Sequence, residues 1–287
     1  HNIPVLQPVS LKDPEFLEAL KAWDADIFVV VAFRMLPKVV WEMPKLGTFN
    51  LHAALLPQYR GAAPINWAVI NGEYITGVTT FMINEGIDTG HIMFRDQCRI
   101  EETDTAGDIH DKLMALGSNL VVQTVESIID KSVELRLQKS FIQGSEVLKP
   151  APKLTRELCH IDWNGKTKDI YNLIRGLSPY PAAFTELTKE GKEPQQMKIF
   201  FGEKVTGDAF NALLAENGRD SAAPGEVLSD GRNYLAISTE DGAISITDLQ
   251  LSGKKRMAVK DFLIGFRDAS SYGTTKGTSS GITGKNS

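Results

Sequence analysis

DIFVVVAFRMLPKVVWEMPKLGTFNLHAALLP, residues 26–57, holds the alternation on which the fold turns. Residues 26–33 are a continuous apolar run of strand length, the pattern of a parallel strand buried on both faces. Residues 36–44 read as a short helix and 47–54 as a second strand. The alternation continues outward. Upstream, Asp13-Pro14 opens a helix with Asp as N-cap and Pro at the first helical position; Phe16, Leu17, Leu20 and Trp23 form its apolar face. Downstream, Pro64 opens a helix through Asn71, and 76–84 and 91–100 read as strands. Thr105 then caps a long helix to about Asp130, with Leu113, Leu116, Leu120 and Val121 on one side. Strands alternating with helices predict an α/β fold with an open, mostly parallel sheet.

The pattern changes near residue 140. KPAPKL (149–154) carries two prolines and suits a linker. Short strands follow at 182–187, 198–205, 225–229, 233–239 and 243–251, with one helix before them (166–177) and one after (259–266). This spacing predicts a small β-barrel of OB-like form. The chain thus divides into an α/β domain (1–131), a linker (132–153), a barrel (154–267) and a tail (268–287). The tail is rich in Gly, Ser, Thr and Lys and is expected to be mobile.

Length and composition agree with two domains. The chain has 287 residues, 42% of them hydrophobic and 23% charged, a globular balance. With 31 basic against 36 acidic residues the net charge is -5, so a polyanion would have to be held by a local patch. Residues 1–149 hold 13 Lys+Arg and 19 Asp+Glu (net -6), and residues 150–287 hold 18 and 17 (net +1), which favours the second half as that place. Its sharpest basic cluster is Lys254, Lys255 and Arg256. Two distant cysteines exclude a disulfide scaffold and a Cys-type zinc site and suit a reducing, cytoplasmic setting. No run approaches the ~20 apolar residues of a membrane span, and no signal peptide is expected.

The chemistry-bearing candidates lie in FNLHAALLPQYRGAAP (49–64) and NEGIDTGHI (84–92). Asn50 and His52 are two apart on a strand and share a face. They precede a Pro- and Gly-containing loop, at the sheet edge where α/β folds bind ligands. Two readings of the pair stand: a turn-capping amide with a satisfied core histidine, or a reactive pair. Asp88 lies in a turn flanked by Gly86 and Gly90, where an Asx-turn is the plain alternative. As a set, an amide can stabilise an oxyanion, an imidazole can move protons, and a carboxylate can orient the imidazole and raise its pKa. Neighbouring parallel strands would bring the last two together. No Ser or Cys nucleophile accompanies them, so acyl transfer without a covalent intermediate fits best. Leu55, Leu56, Pro57 and Trp67 could line a flat aromatic ligand or simply be core. His91, His110 and His160 show no metal-ligand spacing, so no metal is expected. Neither G-x-G-x-x-G nor a P-loop motif occurs.

FNLHAALLPQYRGAAPINWAVINGE followed by INEGIDTGHI resembles the signature of the 10-formyltetrahydrofolate-dependent formyltransferases. IDWNGKTKDIYNLIRGLSPYPAAF (161–184), APGEVL (223–228) and GKKRMAVKDFL (253–263) are similar to the C-terminal domain of the family members that act on methionyl-tRNA. The resemblance runs from His1 to about Arg267. It implies a Rossmann-like formyltransferase domain followed by an OB-like barrel. It also implies transfer of the formyl group of 10-formyltetrahydrofolate, as co-substrate, to the α-amino group of methionyl initiator tRNA, without a metal or a membrane and by a monomer. The family's catalytic residues fall on Asn50, His52 and Asp88, and its folate-binding segment on Ala54, Leu55, Leu56 and Pro57. Serine is common in the family where Ala54 stands, so backbone contacts are what the resemblance carries there. Lys254, Lys255 and Arg256 are the expected tRNA contacts. Family members begin with a strand–helix–strand unit that does not precede His1. The alternatives are a formyltransferase for a nucleotide-sugar amine or glycinamide ribonucleotide, and a non-catalytic tRNA-binding protein of the same fold.

Overall fold

A computed structural model of the chain describes residues 1, 3–31 and 35–275. These form two compact units, one built from His1–Ile65, Ile75–Arg99 and His110–Pro152, the other from Asn66–Tyr74, Ile100–Ile109 and the chain from Lys153 onward.

The order of elements begins with helix α1 (Pro14–Lys21), strand β1 (Phe28–Val31), helix α2 (Lys38–Trp41), strand β2 (Thr48–His52), helix α3 (Pro64–Ile70), strands β3 (Ile75–Met82) and β4 (Ile92–Arg99), and helix α4 (Ala106–Ile129). Asp13 Oδ1 accepts from the Glu15 N–H, and Pro14 follows, so α1 starts where its cap signal stands. Thr105 Oγ1 accepts from the Asp108 N–H while the Asp108 carboxylate accepts from the Thr105 N–H, a reciprocal cap that starts α4.

The sheet of the first unit runs β1-β2-β3-β4. Only β1 and β2 are parallel; β2–β3 and β3–β4 are antiparallel. The expectation of a mostly parallel sheet therefore fails within the described residues. The connection 83–91 is too short for a parallel crossover, which takes about a dozen residues or more. β1 also departs from its expected burial on both faces. Val30 is buried, but Val29 and Val31, on the opposite face, are 40% and 57% exposed, and among the described residues β1 pairs with β2 alone. Of the run 26–33, residues 32–33 lie outside the described residues.

Residues 132–152, linker-like in composition, are part of the first unit. Arg136 and Ile92 exchange both backbone hydrogen bonds, and a 3-10 turn follows at Gln138–Phe141. The proline-containing stretch then runs beside the loop after β2: Tyr59 N–H donates to Lys149 O, Ala151 N–H to Arg60 O and Ala63 N–H to Ala151 O. Gly61, at φ +124°, makes this approach possible, since a Cβ there would sit 2.5 Å from Ala151 O.

The second unit continues with α5 (Arg156–Cys159), α6 (Thr167–Leu177), β5 (Ala183–Lys189), β6 (Lys192–Thr206), α7 (Asp208–Glu216), β7 (Val227–Ser229), β8 (Leu235–Ser238), β9 (Gly242–Leu251), β10 (Met257–Ala258), α8 (Val259–Ile264) and β11 (Gly273–Thr274). Its antiparallel sheet runs β11-β5-β6-β9-β8-β7, with β10 on β9. A single bridge between Glu226 and Gly273 joins its two ends and nearly closes it into a barrel. Ile170, Ile174 and Leu177 of α6 share one core with Trp163, Leu187, Met197, Ile199, Ile244 and Leu249. Residues 269–275, placed by composition in a mobile tail, form a short 3-10 turn and β11; the rest of that tail, 276–287, lies outside the described residues.

Candidate active site

β2 carries Asn50 and His52 on one face, and both are 6% exposed. Opposite them on β3 stand Phe81 and Thr79. Asn50 Oδ1 is buried with no hydrogen-bond partner among the described residues. His52 Nε2 lies 2.8 Å from the Tyr59 carbonyl oxygen. A carbonyl only accepts, so Nε2 carries the hydrogen and Nδ1 is the basic atom. Nδ1 faces Asp88 Oδ2 at 3.8 Å.

Asp88 belongs to the turn between β3 and β4, at φ 52°, a left-handed conformation that Asp tolerates. The route by which it meets His52 differs from the expected one. β2 and β3 are antiparallel, so the end of β3 lies beside the start of β2, with Met82 opposite Phe49. The loop after Met82 has to turn back along β2 to bring Asp88 to its far end. There Asp88 Oδ2 accepts from the Gly61 N–H at 2.9 Å. At 3.8 Å the Asp88–His52 pair is not a hydrogen bond and becomes an ion pair only when His52 is protonated; the Tyr59 carbonyl sets the tautomer. The expected upward pull on the His52 pKa is outweighed. Burial pushes His52 below its ordinary value of 6.5, and the Asp88 charge and the Tyr59 carbonyl offset only part of this.

Gln138, from the 3-10 turn, is 5% exposed and lies behind this loop. Its Nε2 donates to Asp88 O (2.7 Å) and Gly90 O (2.9 Å), and its Oε1 accepts from Arg60 Nε (3.0 Å) and Nη2 (2.5 Å). The arrangement offers a buried amide, a neutral imidazole with a free basic nitrogen, and a carboxylate placed to stabilise that imidazole once protonated. Such a set suits proton transfer at a carbonyl centre.

Residues 2–125 match the Formyl transferase family, and residues 153–267 match the Formyl transferase C-terminal domain. The methionyl-tRNA formyltransferase of Azobacteroides pseudotrichonymphae is 54% identical over 92% of this chain and 79% of its own. The chain belongs to the methionyl-tRNA formyltransferase family. The Bacteroides fragilis member is 50% identical over 93% of this chain and 78% of its own. Among solved structures, HypX from Aquifex aeolicus in complex with tetrahydrofolic acid shares the fold, with a TM-score of 0.62 and 22% identity over 87% of this chain and 40% of that one.

The segment that the formyltransferase resemblance assigned to folate is mostly covered. Ala54, Leu56 and Pro57 are buried and Leu55 is half-buried. Thr79 Oγ1 donates to Ala54 O (2.6 Å) and accepts from Leu56 N–H (3.1 Å), holding this loop on β3. Leu56 packs with Phe81, Ile92 and Phe141. The basic cluster divides. Lys254 and Lys255 are exposed, and among the described residues neither has an ion-pair partner. Arg256 is bound through Nε to both carboxylate oxygens of Asp248 (3.0 and 2.8 Å), with Cζ 4.3 Å from the centre of the Phe200 ring. Sequence reasoning missed Tyr59, Arg60, Gly61, Thr79 and Gln138. The first three stand inside the quoted motif and could have been flagged by it. Thr79 and Gln138 carry no local signal. No group of three or more potential metal-ligating side chains occurs among the described residues.

Proposed function

We propose that the protein is an enzyme that transfers the formyl group of 10-formyltetrahydrofolate to the α-amino group of methionyl initiator tRNA, for the start of translation in the cytoplasm. The observation that carries this reading is the activity named for its relatives, which are 50–54% identical over 92–93% of the chain. The geometry supports it. Asn50 brings a buried amide to the face shared with His52, and a primary amide carries the N–H donors that a developing oxyanion needs. The co-substrate supplies an activated formyl carbon. Asn50 donates to the formyl oxygen as negative charge builds there. His52 Nδ1 takes a proton from the attacking amine as its bond to the formyl carbon forms, and Asp88 stabilises the imidazolium while Tyr59 O holds the opposite N–H; collapse of the tetrahedral intermediate then breaks the bond to N10, which takes up that proton and leaves as tetrahydrofolate. Ala54, Leu55, Leu56 and Pro57 contribute to the folate site chiefly through backbone groups and Leu55, since the other side chains are buried. The second unit acts as an OB-like, tRNA-binding barrel with Lys254 and Lys255 on phosphates, and the enzyme works as a monomer without a metal.

The test offers labelled formyl donor with charged methionyl-tRNA and, in parallel, a nucleotide-sugar amine. Label should enter the tRNA fraction only. Label on the sugar amine alone, or on neither acceptor, would overturn the assignment.

A further inference from the structure

We infer that Gln138 is a positioning residue for the reaction: held by Arg60, its amide clamps the backbone of the Asp88 turn and so fixes the Asp88 carboxylate against Gly61 N–H and His52. The inference rests on the proposed catalytic role of Asp88. Within the turn 83–91, Asn84 Oδ1 accepts from the Gly86 N–H and the Thr89 hydroxyl, which holds its exposed side, while Asp88 stands in a left-handed conformation between glycines 86 and 90. Gln138 clamps its buried side with every bonding position filled. Its two N–H groups go to the carbonyls of Asp88 and Gly90, and its oxygen takes two N–H groups from Arg60. A primary amide has two donors and two acceptor sites, so none is left over. The amide is nearly inaccessible to water, and a water molecule could not readily replace it.

The clamp is anchored on both sides. Upstream, Arg136 pairs with Ile92 at the start of β4. Downstream, Phe141 packs on Leu56, Phe81 and Ile92. Arg60 adjoins Gly61, whose N–H holds the Asp88 carboxylate. One residue thus fixes the main chain of Asp88 while its neighbour in the network fixes the side chain. Catalytic geometry is sensitive to shifts of about 1 Å, which can cost about 10²-fold in rate.

The test compares Gln138→Leu, Gln138→Glu, Asp88→Asn and the pair Gln138→Leu/Asp88→Asn in formyl transfer to methionyl-tRNA. Gln138→Glu keeps the size and an acceptor for Arg60 but loses both donors, so it reads the clamp even if the leucine variant folds poorly. Each Gln138 variant should lower kcat by about 10–100-fold with KM for tRNA and formyl donor little changed. In the Asp88→Asn background Gln138→Leu should cost almost nothing more. The His52 titration, followed by NMR, should move further down in the Gln138 variants as the carboxylate withdraws. Wild-type kcat in Gln138→Glu, losses that multiply with Asp88→Asn, or a lower Tm with an unmoved His52 titration would overturn the inference while leaving the catalytic reading intact. An Asp88→Asn enzyme of wild-type kcat would overturn both.

Discussion

A buried amide oxygen without a partner costs about 1–3 kcal/mol, and Asn50 keeps one beside His52. A turn cap would use that oxygen to accept a local N–H, and it accepts none; the NH2 group of the same amide is the proposed oxyanion donor. Asn50→Ala should therefore lower kcat by about 10²–10³-fold, the usual loss for one oxyanion donor, with Tm unchanged or raised. A large fall in Tm at unchanged specific activity would mark it as structural. His52 gives a second prediction, in pH. Its folded pKa lies below 6.5, chiefly through burial. Between those two values the unfolded chain binds more protons than the folded one, so stability rises with pH there. Unfolding by urea should show stability declining as pH falls from about 6.5 toward the folded pKa, and His52→Gln should remove that part of the slope. The alternate spacing of Asn50 and His52 was legible in the sequence because strand geometry dictates it. The Tyr59 carbonyl that sets the tautomer was not, since any residue has a carbonyl and only the path of the loop aims it.

At the scale of elements, Thr79 ties the 54–57 loop to β3. Its side chain is fully buried and serves two main-chain groups, Ala54 O and Leu56 N–H. Thr79→Val keeps the shape but leaves Ala54 O and Leu56 N–H only the 3.2 Å bond between them, so it should cost about 1 kcal/mol and raise KM for the formyl donor, seen in denaturant titration and initial rates. A variant with wild-type stability and KM would show that the loop holds itself. The elements themselves were largely readable: β2, β3, β4, α4 and α6 lie where apolar period and caps place them. Strand direction was not, because a two-residue period is the same read either way; hence the parallel sheet expected and the antiparallel β2–β3 pair found. Helix α7 was missed for a related reason. It opens on Gly207 without a side-chain cap and packs Leu214 into a small cluster of its own, so it lacks both usual signals. The linker was legible as a break in composition, but its hydrogen bonds to Tyr59, Arg60 and Ala63 are long-range and leave no local trace.

For the whole molecule, the resemblance spanned both units because the catalytic motif and the C-terminal segments stand far apart in the chain, whereas which basic residues are available to a phosphate depended on packing. Arg256 is committed to Asp248 and Phe200, and Lys254 and Lys255 are not. Lys254→Ala/Lys255→Ala should weaken tRNA binding and flatten its dependence on log salt by up to about two charges, with KM for the formyl donor unmoved. Arg256→Ala should chiefly lower Tm. An unchanged salt slope in the lysine variant would place the tRNA contact elsewhere. In the proposed mechanism Asn50, His52 and Asp88 carry formyl transfer to methionyl-tRNA, with His52 and Asp88 acting as one unit. The most direct measurement is kcat at saturating formyl donor and methionyl-tRNA for His52→Ala, Asp88→Asn and the double variant. Each single change should lower kcat by about 10²–10⁴-fold, and the double variant should be little worse than the poorer single one, because members of one catalytic unit are strongly non-additive. Two losses that simply multiply, or an Asp88→Asn enzyme as fast as the wild type, would contradict it.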